Sequence, residues 1–167
     1  MQTNHRVIAS IAGAVALSAA SYALGQQAAP PAPTDRTKAT QYTSAALAAA
    51  IAKLPTDRPT AAVRVYTLDP YAVNVEHRMP MPQGAAAHEA QAELFYVIDG
   101  SATLLTGGKL VGETRNGTNL AGKAIENGTQ QKFGKGDFLL VPSGIPHQFI
   151  DIQGPLTLMS MYLPNPK

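Results

Sequence analysis

Gly136-Asp137-Phe138-Leu139-Leu140-Val141-Pro142-Ser143-Gly144-Ile145-Pro146-His147 is the stretch whose reading decides the fold. The run Phe138–Val141 predicts a buried strand, because a short apolar segment bounded by turn formers has the length and flanks of a strand rather than of a helix. Pro142 and Gly144 supply a turn. A second strand resumes over 148–152, so His147 stands at a strand start. The alternation of His147, Phe149 and Asp151 against Gln148, Ile150 and Ile152 leaves open whether the imidazole points into a barrel or out to water. A partner elsewhere in the chain has to decide that.

The candidate partner lies upstream, in Gly84-Ala85-Ala86-Ala87-His88-Glu89-Ala90-Gln91-Ala92-Glu93, followed by a predicted strand over 94–98 and by Asp99-Gly100. Here the chain resembles the cupin family. The first family motif runs Gly, His-x-His, a few residues, Glu, then six residues to a Gly, and Glu93 to Gly100 has that last spacing. The second runs Gly, five residues, Pro-x-Gly, two residues, His, three residues, Asn. Gly136, Pro142, Gly144 and His147 all match it, with Asp151 where Asn is usual. The second motif is highly specific, whereas the first carries one of its two histidines. Together they span 84–151.

The resemblance implies a double-stranded β-helix, a jelly-roll barrel, holding a divalent transition metal on His88, Glu93 and His147. Two histidines and one carboxylate form a complete facial triad for Fe, Mn, Ni, Co or Zn. Taken as the second histidine of the motif, His88 leaves Ala86 at the first position; taken as the first, it leaves Ala90 at the second. The four residues before Glu93 favour the former. Gln91 is a candidate extra ligand through its amide oxygen. His77 shares strand parity with Val73 and Val75 and faces the cavity if those valines do; with Glu93 it is a candidate for moving a proton. Asp151 is a candidate to orient His147. With Glu93 inward, alternation turns Phe95 and Val97 inward and Tyr96 outward. Phe95, Val97, Phe138 and Phe149 are the expected pocket wall. Arg64 and Arg78 are candidate clamps for a carboxylate substrate, with a solvated strand charge as the plainer reading.

The chain has 167 residues, formal charge +2 and no cysteine. Arg6 followed by an apolar or small-residue run over 7–20, and Ala23-Leu24-Gly25, read as a bacterial export signal over 1–25. The run is too short for a membrane span, so no stable insertion is expected after cleavage. The expected location is periplasmic or secreted, which the absence of cysteine allows. Residues 26–40, with Pro30, Pro31 and Pro33, read as an Ala/Pro-rich linker, and 41–167 as one barrel domain. Lys and Arg are dispersed, which argues against a nucleic-acid partner and for a neutral or weakly anionic small molecule.

Within the domain, Thr43 or Ser44 can cap a helix over 43–54 whose Leu47, Ile51 and Leu54 form one stripe, stopped by Pro55. That stripe covers a barrel edge or serves a dimer contact. Short strands follow, broken at Asp69-Pro70. The region from 94 to 105 reads as two strands, or one bent at Gly100, and Gly107-Gly108 as a hairpin turn. The glycine-rich stretch from there to Gly134 reads as an irregular excursion at the barrel mouth. A last strand puts Leu156, Leu158, Ser160 and Tyr162 on one side. Many short strands with Gly and Pro turns predict an all-β sandwich or barrel. Three functions compete: a metal-dependent enzyme of lyase, isomerase or dioxygenase type acting on a small organic molecule, a non-catalytic ligand-binding module, and a barrel used for self-association as a homodimer.

Overall fold

A computed structural model describes residues 34–166. The export signal and most of the linker therefore lie outside the described residues. Helix α1 (Ser44–Ile51) begins where Thr43 Oγ1 accepts the Ala46 N–H at 3.1 Å, satisfying one of the orphan donors of the first turn. It is shorter than the predicted 43–54, because Lys53 and Leu54 bond back to Ala50 and Ile51 in a tight turn before Pro55. Leu47, Ile51 and Leu54 are half-buried, and no residue of α1 is buried.

Thirteen strands follow among the described residues. The first five are β1 (Thr60–Leu68), β2 (Tyr71–Arg78), β3 (Ala85–His88), β4 (Gln91–Asp99) and β5 (Ser101–Thr106). Five short ones come next: β6 (Lys109–Val111), β7 (Thr114–Asn116), β8 (Asn119–Gly122), β9 (Ala124–Glu126) and β10 (Thr129–Gly134). The last are β11 (Phe138–Val141), β12 (His147–Ile150) and β13 (Leu156–Pro164). One sheet has the order β1-β2-β13-β4-β11 and the other β10-β5-β12-β3-β8-β7, with β6-β9 as a ribbon, and every pairing is antiparallel. The all-β expectation with one short helix holds.

The chain bends between β4 and β5 at Gly100, whose φ is +92° and where a Cβ would sit 2.8 Å from the Pro155 carbonyl oxygen. Only glycine suits both conditions. Between the two sheets lies a core of Phe95, Val97, Leu104, Leu139, Phe149 and Leu158, among others.

Two expectations are corrected by this arrangement. The stretch from 107 to 134 is not an irregular excursion: it forms β6 to β10, and Leu110 and Ile125 bury against Ala85 and Ala87 in a second core. Strands of three or four residues show too few alternations for a period of two to stand out. The segment Phe138–Val141 is buried on one face only. As the outermost strand of its sheet, β11 turns Leu139 and Val141 inward and leaves Phe138 68% and Leu140 60% exposed.

Candidate metal centre

His88 ends β3, Glu93 lies near the start of β4 and His147 opens β12. Two sheets therefore supply the three side chains, and a turn fixes their approach: the N–H of Gly144, at φ +77°, donates to the carbonyl of His88 at 2.8 Å. The Pro142-Ser143-Gly144 turn is thus bonded to the backbone of the residue that the other motif contributes. One ligand atom from each of His88, Glu93 and His147 lies within 4.8 Å of the others. Glu93 Oε2 is 3.2 Å from His147 Nε2 and 3.4 Å from His88 Nε2. The rings stand 5.5 Å apart.

Burial pushes the Glu93 carboxyl up, but hydrogen bonds from His147 and His88, with the charge of both rings, outweigh it and hold the group down at about 2. Glu93 is 4% exposed and ionised, a costly state that only close partners sustain. Burial lowers the affinity of His88 for its proton, and hydrogen bonds to Glu93 and Asn119 more than offset this, so its pKa is raised. His88 Nδ1 lies 2.7 Å from Asn119 Oδ1 on β8. An oxygen there accepts the Nδ1 proton and turns Nε2 toward Glu93. Nε2–H donates to that carboxylate in the metal-free protein and, once its proton is lost, can share a metal with it. Tyr162, on β13, packs edge-on against His88 with centroids 5.0 Å apart. Burial and the charges of Glu93 and Glu76 push its hydroxyl well above the usual range, so it stays protonated. Two imidazoles, once deprotonated at Nε2, and an ionised carboxylate are the donor set that a divalent transition metal takes.

The remaining sequence-derived candidates divide. Phe95, Val97 and Phe149 are fully or almost fully buried inside, with Phe95 edge-on to Phe149 at 5.2 Å and Phe95 and His147 ring centroids 6.2 Å apart. Phe138 is no part of the pocket wall; it lies outside against Tyr96, centroids 4.8 Å apart. Gln91 shares the face of Glu93 one pleat earlier on β4. His77 does not join the cluster. The inward residues of β2 are Glu76, bonded to Ser160, and Arg78, whose guanidinium lies 4.5 Å over the Phe149 ring, so odd-numbered His77 faces the other side. There its Nδ1 meets Thr157 Oγ1 at 3.2 Å. Asp151 is exposed, with φ +51°, past the end of β12, and His147 Nδ1 faces the Ile145 carbonyl at 3.5 Å instead.

Sequence reasoning did not single out Asn119 or Tyr162. Tyr162 had a signal, since it alternates onto the same side as Leu156, Leu158 and Ser160. Asn119 had none, because only the pairing of β8 with β3 brings it opposite His88.

Two antiparallel sheets closing over a core, with the two histidine-bearing segments tied at one mouth, match solved structures. A conserved protein from Klebsiella pneumoniae subsp. pneumoniae with a double-stranded β-helix domain is similar over 66% of this chain and 81% of its own, with 19% identity and a TM-score of 0.50. The chain has the cupin fold. The Fe(II) form of HppE is similar over 67% of the chain and 57% of its own, with 14% identity and a TM-score of 0.50. The cupin domain of Schizosaccharomyces pombe Cnp3 is similar over 65% and 63%, with 12% identity and a TM-score of 0.47. No family model matches the chain, and no curated protein matches its sequence. Among the described residues no helix is long and apolar enough to cross a membrane.

Proposed function

We propose that this protein is an exported cupin that binds one divalent transition metal on His88, Glu93 and His147 and acts on a small organic molecule inside the barrel. The observation that carries the reading is the convergence of one ligand atom from each of the three residues within 4.8 Å. When bound, the metal would supply a Lewis acid with open positions, the chemistry of a lyase, isomerase or dioxygenase. Glu93 holds the negative charge at the site, Asn119 orients His88, and Tyr162 is a protonated hydroxyl beside them. Phe95 and Phe149 close the floor and keep water from the inner side. Gln91 is proposed as a further ligand from the open side. A cleft of about 650 Å³ lined by Tyr66, Tyr71, Val73 and Met161 lies on the outer face of the sheet and does not touch this cluster.

The experiment is metal analysis of protein purified without chelator, beside a His147→Ala variant. Stoichiometric metal that disappears in a folded variant supports the reading. No metal under any loading condition overturns it in favour of a non-catalytic ligand-binding module. Ala86 favours that second reading, since it puts a methyl group where an imidazole would add a ligand.

The remaining parts of the proposal rest on sequence. The leader over 1–25 and the linker over 26–40 support export to the periplasm or beyond of a single domain over 41–167. The dispersal of Lys and Arg supports a small-molecule partner rather than nucleic acid. A homodimer is supported by exposed Phe138 and Leu140 on the outermost strand β11, and light scattering tests it.

A further inference from the structure

The inner face of the β1-β2-β13-β4-β11 sheet carries more charge than a barrel core needs. Glu76 and Arg78 cancel there: Arg78 Nη2 donates to Glu76 Oε2 at 2.6 Å and Nε at 3.0 Å, while Ser160 donates to Oε1 at 2.6 Å. Arg78 Nη1 is shared between Thr60 and Gln83, both at 3.3 Å. Glu93 is engaged by two imidazoles. Arg64 is different. It is half-buried, its Nε donates to Asn74 Oδ1 at 2.6 Å, and among the described residues no carboxylate pairs with it. Asn74 is itself 5% exposed, so the bond that holds the guanidinium is buried.

Register places this guanidinium on the barrel side. Arg64 pairs with Asn74, Asn74 with Ser160 and Ser160 with Phe95, one row across the inner face, and Glu93 lies one pleat from Phe95. Three strand spacings separate β1 from β4, about 14 Å between backbones. Long side chains reach in from both ends of that span. A guanidinium has five N–H donors in a flat fork, and among the described residues a single one is committed. Held in a partly dry site with no counter-ion among the described residues, it favours an anion, and the fork matches a carboxylate in two-point contact.

We propose that Arg64 is the anchor for the carboxylate of a small organic acid, which spans from β1 toward the His88, Glu93 and His147 cluster. This deepens the reading above and rests on it for where the ligand lies. Arg78, which is already neutralised by Glu76, does not share the role.

The test is calorimetry on the full chain at low salt, with and without loaded Zn(II), using glutarate, the neutral 1,5-pentanediol and inorganic phosphate as probes. Glutarate is expected to bind and pentanediol not to. Arg64→Gln is expected to weaken glutarate by at least about tenfold in protein that circular dichroism shows to be folded. Arg64→Lys, which keeps the charge and loses the fork, is expected to fall between, and it decides the matter should the glutamine variant not fold. Glutarate binding that is indifferent to both variants, no glutarate binding, equal binding of the diol, or tighter Arg64-dependent binding of phosphate than of glutarate each overturn the carboxylate anchor. Failure of the metal reading is distinguishable. Protein that takes up no metal yet binds glutarate through Arg64 keeps this inference and loses that one, and metal-loaded protein whose glutarate binding ignores Arg64 does the reverse.

Discussion

Ala86 is the cross-strand partner of His147. Because side chains alternate along β3, Ala86 also shares the inward face of His88, so a methyl group sits directly beside both imidazoles of the cluster. Residues directly opposite on antiparallel strands have Cβ atoms about 5 Å apart, within reach of one metal ion. An Ala86→His variant therefore places a further imidazole at the centre. Its affinity for Zn(II), measured by chelator competition, is expected to rise by about tenfold or more, equivalent to ~1.4 kcal/mol. An unchanged or weaker affinity would show that the histidine at 86 cannot enter the coordination sphere.

The Asn119 amide acts on the metal through His88. With Nδ1 of His88 bonded to Asn119 Oδ1 at 2.7 Å, the ring presents Nε2 to Glu93 and cannot turn freely. Asn119→Ala is expected to weaken Zn(II) binding by about 10–100-fold while leaving the fold intact, since partners behind a ligand carry effects of that size. Chelator competition beside a circular dichroism melt checks both halves of the expectation.

Without metal, Glu93 depends on its imidazoles. Removing one by His88→Ala leaves a buried carboxylate with fewer partners and is expected to destabilise the metal-free protein by about 1–3 kcal/mol in urea unfolding. A Glu93→Gln, His88→Ala double variant is expected to regain part of that loss, because the charge that needed the partner is gone. Full additivity of the two substitutions would argue that the residues do not interact.

Metal and protons act in opposite directions on this site. The folded pKa of Glu93, about 2, lies below its ordinary 4.5, so its contribution to stability is present above pH 4.5 and is lost as pH falls from there toward 2. The folded pKa of His88 lies above its ordinary 6.5, so its contribution in the metal-free protein is full below pH 6.5 and is lost as pH rises through the raised value. Binding a metal requires His88 neutral, so Zn(II) affinity is expected to increase over the same rise in pH that removes this contribution. Urea midpoints and Zn(II) affinities taken across that range check the two opposed slopes.

Much of the site is legible in the chain because the motif spacings are local. Gly136, Pro142, Gly144 and His147 lie within one strand, turn and strand, where backbone preference alone sets direction, and the parity of β4 follows once Glu93 is taken as inward. His77 was misplaced because a period of two says which residues share a face and never which face is the core. Phe138 was misplaced for a related reason, since an apolar run looks the same whether its strand is central or at the edge. Neither Asn119 nor the free fork of Arg64 has a local signature, as both depend on which strands become neighbours.

By itself the sequence determined an all-β chain, the two turn-linked segments bearing His88, Glu93 and His147, and the absence there of one imidazole, because these follow from residue order and short-range sterics. The tertiary structure alone decided which face of each strand is wet and what stands behind each ligand. Strand pairing joins residues tens of positions apart, and its register is set by how two whole sheets bury their apolar faces together, a property no single segment contains.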